Sequence, residues 1–590
     1  MQIKFSIHNN EFVLIECDQP SHEIEIFLDQ EFNKNIKDGE VFIDLPSFMR
    51  NLDNINKFLH MQSIAPQISE EFKSAVNNLP NYTKASKAAD ISADIILSNI
   101  KKEGFTRTPT EDQLRNLMSL CSKKAAASFS VPGAGKTTEA LAFYAFHKNH
   151  DKSKLLVISP INAFMSWDDE ISQCFDNKNR ISRLRGSIKE IELKLLENPQ
   201  HMIINYDSLR SIEKFSLIKN LILENPDIVI VLDESHKSKG ESISEILGQL
   251  ASYINYKLIL TGTPMPQAPS DLRAQFNFLY PQEHVSFDEK LIELFEPIYV
   301  RTTKEDLDLF PVDYKIVSVT PNPAFNIFYE EYFIKRLQEG STLQDILSVK
   351  SFKKAVLKFI KLLSNPASCL EELFELDPGL AIQIENEGDG AKIDALIERA
   401  EYLISKGEKV LIWTSFVVNV ELIASKFGNK AVFIHGSVTT DKGINEDSEM
   451  EDLDTREARI RRFKQDPNCM VLVANPAAAA ESISLHEQCN YALYLDRTYN
   501  AGQFLQSQDR IHRLIAKEKE KQKFIEVFIL DLPWCADWKV HEALNRKIDA
   551  MSEFLNDPSL VSLEGFNFDI DAFSDENPMD SVDEEEFMNP

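Results

Sequence analysis

Ten short runs built almost wholly from apolar residues, five between residues 105 and 300 and five after residue 390, constrain this chain more than any other feature. The first five are AAASFSV, KLLVISP, HMIIN, DIVIVLD and YKLILTG. The second five are EKVLIWT, KAVFIHG, CMVLVAN, YALYLD and FIEVFIL. Longer stretches of helical pattern separate them. A strand covered on one face alternates apolar with polar residues, whereas a strand covered on both reads as a continuous apolar run. Continuous runs alternating with helices therefore predict an α/β chain with two lobes in tandem, each a parallel sheet with helices on both faces.

The rest of the chain arranges itself around those lobes. Residues 1–95 carry no chemical motif; EFVLIE and EIEIFL read as strands and the stretch from DLPSFMRNLDNINKFL onward as helices, giving a small α+β accessory module. The first lobe is expected over 105–300 and the second over 391–552. Between them, 301–390 reads as a connection and a mostly helical insertion ending in IENEGDGAK. TTDKGINEDSEMEDLDTRE reads as a surface loop within the second lobe. Residues 553–590 hold twelve carboxylates and no Lys or Arg, which predicts a disordered acidic tail.

Composition excludes several classes. No stretch approaches the roughly 20 apolar residues of a membrane span. The N-terminus MQIKFSIHNNEF alternates like a strand and lacks the apolar core of a signal peptide. A soluble, unexported, cytoplasmic chain without membrane partners is the expectation. The seven cysteines, at 17, 121, 174, 369, 469, 489 and 535, form no CxxC pair and suggest neither a zinc cluster nor a disulfide framework. The net charge of −29, of which the tail supplies −12, runs against a general affinity for nucleic acid, so any such track must be a segregated basic groove.

Two motifs carry chemistry. SFSVPGAGKTTEALAFY runs from a strand through a glycine turn into a helix. Gly133 and Gly135 let the backbone wrap a phosphate, and the new helix offers free N–H groups. Lys136 reaches the β/γ-phosphates, while the Thr137 hydroxyl holds Mg²⁺. The strict form of the motif has Gly where this chain has Ser130. About 100 residues later, DIVIVLDESHKSKG puts Asp233 and Glu234 at the C-terminal end of an apolar strand, where open α/β sheets place ligands. Phosphoryl transfer needs one carboxylate for the metal and one group to orient water; Asp233 suits the first role and Glu234 the second. His236 is placed to couple the pair to neighbouring segments.

These residues resemble a known family. VPGAGKTT, LLVISPINAFMSWDDEI, IINYDSLR, VLDESHKSKG and LILTGTPMPQAPSDLRAQFNFLYP follow the motif order of superfamily-two helicases, specifically the Swi/Snf-type ATPases. VRTTKEDL matches that branch's inter-lobe connection. KIDALIERAEYLISKGEKVLIWTSF, FIHGSV, VLVANPAAAAESISL, YALYLDRTYNAGQFLQSQDRIHR and VHEALNRK continue it, so the resemblance covers about 105–550. It implies two RecA-like lobes with ATP and Mg²⁺ as cofactors and double-stranded DNA as track. Pro132, Gly133, Ala134, Gly135, Lys136, Thr137 and Thr138 then form the phosphate loop, and Gln113 takes the place of the adenine-contacting glutamine. Gln506 lines the motif from which Arg510 and Arg513 act as arginine fingers, and their i, i+3 spacing puts both on one side of a helix. Thr261 and Thr263 match the coupling motif. Ser159, Pro160, Asn205, Tyr206, Ser415 and Ser482 lie in motifs that face nucleic acid. Ser235, the Lys after His236, HRLIAKE and Ala477 to Ala480 depart from the family pattern without removing a catalytic group.

The implied function is a DNA-stimulated ATPase that translocates on or remodels duplex DNA without separating strands, in bacterial defence or repair and hence in the cytosol or nucleoid. One alternative is a motor that displaces polymerase or other proteins from nucleic acid. Another is a nucleotide-gated interaction scaffold with little turnover. The N-terminal module and the acidic tail, with its interleaved phenylalanines, are the candidate sites for a protein partner.

Overall fold

The computed structural model describes residues 3–9, 11–17, 20–34, 39–148, 153–175, 180–283, 285, 289–348, 350, 352–438, 455–479, 485–514, 521–558 and 560. The expected acidic surface loop falls almost wholly outside the described residues, as do Ser482, Ala480, the continuation after Leu514 and nearly all of the acidic tail. The chain divides into two compact units, Met1–Leu307 and Asp308–Pro590.

The first unit opens with a four-stranded sheet of β1 (Ile3–His8), β2 (Phe12–Cys17), β3 (Glu40–Asp44) and β4 (Gln67–Ile68), ordered β3-β2-β1-β4. Alternation decides its faces: Ile3, Phe5, Val13, Ile15, Cys17, Val41 and Ile43 are buried while their neighbours are not. Phe5, Phe48 and Phe72 close the core, with ring centroids 5.4 to 5.9 Å apart. EIEIFL, read as a strand, is part of the helix His22–Phe32. Ser21 is extended at its N-cap, Glu23 and Glu25 favour the positive end of its dipole, and Ile24 and Leu28 form the buried i, i+4 face while Ile26 faces out.

The second sheet is parallel throughout: β5 (Ala125–Ser128), β6 (Leu155–Ile158), β7 (Ser182–Arg183), β8 (His201–Ile204), β9 (Val229–Asp233), β10 (Tyr256–Leu260) and β11 (Tyr299–Val300), ordered β11-β5-β10-β9-β6-β8-β7. All five expected apolar runs are in it. The helix Lys136–His147 is buried without a break from Thr138 to Ala145, the signature of a central helix rather than a surface one.

The second unit carries a six-stranded parallel sheet of β12 (Asp313–Val319), β13 (Val410–Trp413), β14 (Ala431–Ile434), β15 (Val471–Ala474), β16 (Tyr491–Tyr494) and β17 (Phe524–Leu530), ordered β12-β17-β16-β13-β15-β14. Helices from Pro323 to Asn386 separate β12 from the rest of the sheet in sequence. β12 itself was not expected. Only Val319 of its seven residues is buried, so it lacks the apolar signal of its neighbours and depends on pairing along its whole length with β17. Among the described residues no helix is long and apolar enough to cross a membrane, and the seven cysteines are free and buried.

Candidate nucleotide-binding site

β5 ends at Ser128 and the helix of Lys136 begins eight residues later, so the chain must turn sharply in between. Gly133 and Gly135 do this with φ of +93° and +84°, a region that side chains disfavour. Gly135 is constrained twice, because a Cβ there would stand 2.1 Å from Gln113 Nε2. Lys136 Nζ donates to the loop's own Ser130 carbonyl at 2.7 Å. Ser130 is fully buried, and its hydroxyl accepts from Thr302 N at 3.0 Å, fastening the loop to the segment after β11. Asn116 Nδ2 donates to Thr302 Oγ1 at 2.9 Å and to Glu139 Oε1 at 2.7 Å, and Ser128 Oγ donates to Glu139 Oε2 at 2.8 Å. Burial pushes Glu139 up to about 7 despite these donors and the nearby Lys136 charge.

β9 delivers the carboxylate pair. Asp233 Oδ2 accepts from Trp167 Nε1 at 2.8 Å and Oδ1 from Glu234 N at 3.0 Å, while its carbonyl accepts from Tyr206 Oη at 2.8 Å. Burial and then the Glu234 charge push the Asp233 carboxyl upward, and Trp167 and Lys136 oppose them. Burial, then Asp233 and Glu234, drive the Tyr206 phenol well above its ordinary range. Glu234 sits at φ +49°, outside the normal range for a side-chain-bearing residue. Its Oε2 is buried without a hydrogen bond, and His236 Nδ1 stands 3.5 Å away. His236 Nδ1 also lies 3.0 Å from Thr261 Oγ1, which accepts from Thr263 N at 3.1 Å. Ser235, the departure from the family's alanine, donates to Gln275 Oε1 at 2.7 Å, and Gln275 donates to Pro264 O at 2.9 Å. A Cβ on Gly262 would come within 3.0 Å of Pro132. The DESH and TGTP segments and the phosphate loop are thus in physical contact.

Other expected residues sit as follows. Gln113 closes a capping box on the helix Glu111–Leu120 through Thr110 and points its amide nitrogen at the carbonyls of Ala134 and Gly135, 3.4 and 3.5 Å away. Thr137 is half-buried and Ala134 buried. In the second unit, Gln506 lies in the helix Ala501–Gln508, which ends before Arg510 and Arg513. The expectation of two arginines on one helix face is corrected: both lie beyond the helix, Arg510 in a turn and Arg513 in irregular backbone, where Arg510 Nε donates to Gln506 O at 2.9 Å and Arg513 Nε to Asp509 O at 3.0 Å. Arg510 is buried and Arg513 half-buried.

Ser159, Pro160, Asn205 and Tyr206 are buried; Ser159 Oγ donates to Pro160 O at 3.1 Å, Asn205 Oδ1 accepts from Ser208 Oγ at 2.5 Å, and Tyr206 Oη reaches the Asp233 carbonyl. Ser415 is half-buried; its N–H donates to Asp496 at 2.7 Å and its carbonyl accepts from Asn475 at 2.6 Å. In the sequence Trp167 and Glu170 stand out only as part of the motif LLVISPINAFMSWDDEI, with no role of their own, yet Trp167 reaches Asp233 and Glu170 accepts from the Thr138 hydroxyl. Their signal was faint, a Trp and a Glu at i, i+3 in a helix after β6.

The residues present fit a Mg²⁺–nucleotide. The loop is held open by left-handed glycines, Thr137 and Asp233 are hard oxygen donors, and Glu234 keeps an unsatisfied buried oxygen.

Residues 129–293 match the SNF2-related domain and residues 391–515 the helicase conserved C-terminal domain. An uncharacterized ATP-dependent helicase of Mycoplasma pneumoniae is 25% identical over 413 residues, covering 65% of this chain and 36% of its own. The ATP-dependent DNA helicase DDM1 of Arabidopsis thaliana is 22% identical over 425 residues, covering 65% of this chain and 53% of its own. Chromodomain-helicase-DNA-binding protein 8 of Danio rerio is 23% identical over 427 residues, covering 65% and 16%. The chain therefore spans about half or less of these relatives' lengths. A solved Sulfolobus solfataricus SWI2/SNF2 ATPase core in complex with dsDNA aligns over 78% of this chain and 95% of that one, at 18% identity and a TM-score of 0.32. The two parallel sheets are tandem RecA-like lobes. With a SNF2-related domain followed by a helicase C-terminal domain, the chain belongs to the Swi/Snf-type ATPases of helicase superfamily two.

Proposed function

We propose that the protein is an ATP-driven motor that translocates on double-stranded DNA, or remodels protein–DNA complexes, without separating the strands. The observation that carries this reading is the cluster of Lys136, Asp233 and Glu234 at the strand ends of one sheet, in which the Lys136 charge opposes the upward push that burial and Glu234 give the Asp233 carboxyl. A phosphate loop alone binds nucleotide; a loop with a metal-holding carboxylate and a second, under-satisfied carboxylate can also hydrolyse it. Names of relatives such as the Arabidopsis DNA helicase support DNA as the track.

In this reading Lys136 exchanges the Ser130 carbonyl for the β/γ-phosphates, trading one charge-assisted bond of about 1.5–3 kcal/mol for contacts of higher charge. The loop N–H groups and Gln113 orient the nucleotide. Thr137 and Asp233 hold Mg²⁺, which when bound neutralises charge on the phosphates. Glu234, unburdened by a hydrogen bond at Oε2, orients the attacking water. Arg510 and Arg513 act as arginine fingers. The test is a pair of assays with the full chain: ATP-dependent displacement of a third strand from duplex DNA, and separation of a forked duplex. Third-strand displacement without unwinding is expected; unwinding, or activity in neither assay, contradicts the proposal.

A further inference from the structure

The helix Phe164–Cys174 bonds to Asp233, one of the groups assigned to Mg²⁺, and to Thr138, the neighbour of the other. It follows β6, which lies beside β9 in the sheet, and it carries Trp167 and Glu170 three residues apart, so both project from one face. Trp167 is 1% exposed, and its indole N–H, a donor with a single direction, meets Asp233 Oδ2 at 2.8 Å. Glu170 accepts from the hydroxyl of Thr138, the residue after Thr137 in the first turn of the loop helix, and from Arg107 Nη1 at 2.5 Å. One rigid element thus grips the strand end that presents Asp233 and the helix start that presents Thr137. Asp233 Oδ1 is held by Glu234 N, so its carboxylate is fixed at both oxygens while each keeps a lone pair. Groups that orient a metal-holding side chain in this way typically matter about 10–100-fold to metal affinity when removed.

We infer that Trp167 and Glu170 are positioning residues that set, through Asp233 and Thr138, the spacing of the two Mg²⁺-holding groups. The inference rests on the site's being a Mg²⁺–nucleotide site. It differs from the alternative in which Trp167 only fills the core and Glu170 only pairs with Arg107. A structural defect weakens nucleotide binding whether or not Mg²⁺ is present; a spacing defect removes only the part that Mg²⁺ adds.

The experiment is calorimetric binding of a non-hydrolysable ATP analogue to the full chain, in Mg²⁺ and in EDTA. Trp167→Phe and Glu170→Ala each reduce the Mg²⁺-dependent gain in affinity by about tenfold and leave the affinity in EDTA unchanged. Glu170→Gln, which retains an oxygen acceptor for Thr138, keeps the gain. Equal losses in both buffers, no loss in either, or a loss in Glu170→Gln matching that in Glu170→Ala overturns the inference. The two Glu170 variants decide the matter should Trp167→Phe not fold. Absence of any Mg²⁺-dependent binding in the unsubstituted protein overturns the nucleotide reading itself, a result distinguishable from the others.

Discussion

Gly135 shows how one position can serve backbone and neighbour together. Its φ of +84° is costly for any side chain, and the space a Cβ would occupy belongs to the Gln113 amide. Gly135→Ala should lower stability by about 1–2 kcal/mol in urea unfolding, from backbone strain alone, and weaken ATP binding by displacing Gln113. Glu139 gives a signed pH effect. Its carboxyl rises from 4.5 unfolded to about 7 folded, mainly through burial. The folded state then binds more protons than the unfolded between those values, so stability falls as pH rises through the window and the full penalty is present above it. Glu139→Gln should raise stability at pH 8, by on the order of 3 kcal/mol at most, and change it little at pH 4; urea midpoints at the two values check this. Lys136, Asp233 and Glu234 were readable because strand, loop and helix follow one another locally. Trp167 and Glu170 were not, because their partners lie 66 and 32 residues away and only packing brings them together.

At the scale of elements, legibility tracked burial. The ten apolar runs each became a strand, most of them buried on both faces, which leaves one composition available; the edge strand β14 is the exception, with only Val432 and Ile434 buried. β12 escaped because an edge strand with one buried residue looks like a loop. EIEIFL misled because Ile24, Ile26 and Leu28 alternate; the helix wins because only Ile24 and Leu28 are buried, and the Ser21 carbonyl accepts the first helical N–H groups, from Ile24 at 3.0 Å and Glu25 at 3.2 Å. Contacts between elements were the least readable. Lys392, at the start of the helix Ala391–Ser405, meets Asp537 of the helix Ala536–Leu555 at 2.7 Å, with side chains 0% and 6% exposed. Lys392→Met strands a buried carboxylate and should cost roughly 3–5 kcal/mol, whereas adding Asp537→Leu should recover most of it. Denaturant unfolding of the single and double variants measures the difference.

Across the whole molecule, the domain profiles bear out the family order of motifs, and the charge balance sharpens what that order implies. A chain at −29 that engages duplex DNA must do so through local basic surface, so its binding should weaken steeply with added salt. The nucleotide loop and carboxylates belong to the first unit and the arginines to the second. Arg513→Ala should therefore keep ATP binding while lowering turnover by about 10³-fold or more, as expected for an arginine finger, and equilibrium binding beside steady-state hydrolysis separates the two. The most direct test of the central claim is steady-state ATP hydrolysis by the full chain alone and with duplex DNA, single-stranded DNA or RNA, alongside Glu234→Gln. Strong stimulation by duplex DNA that disappears in Glu234→Gln is the predicted result. Turnover absent with every nucleic acid, or undiminished in Glu234→Gln, would contradict the account.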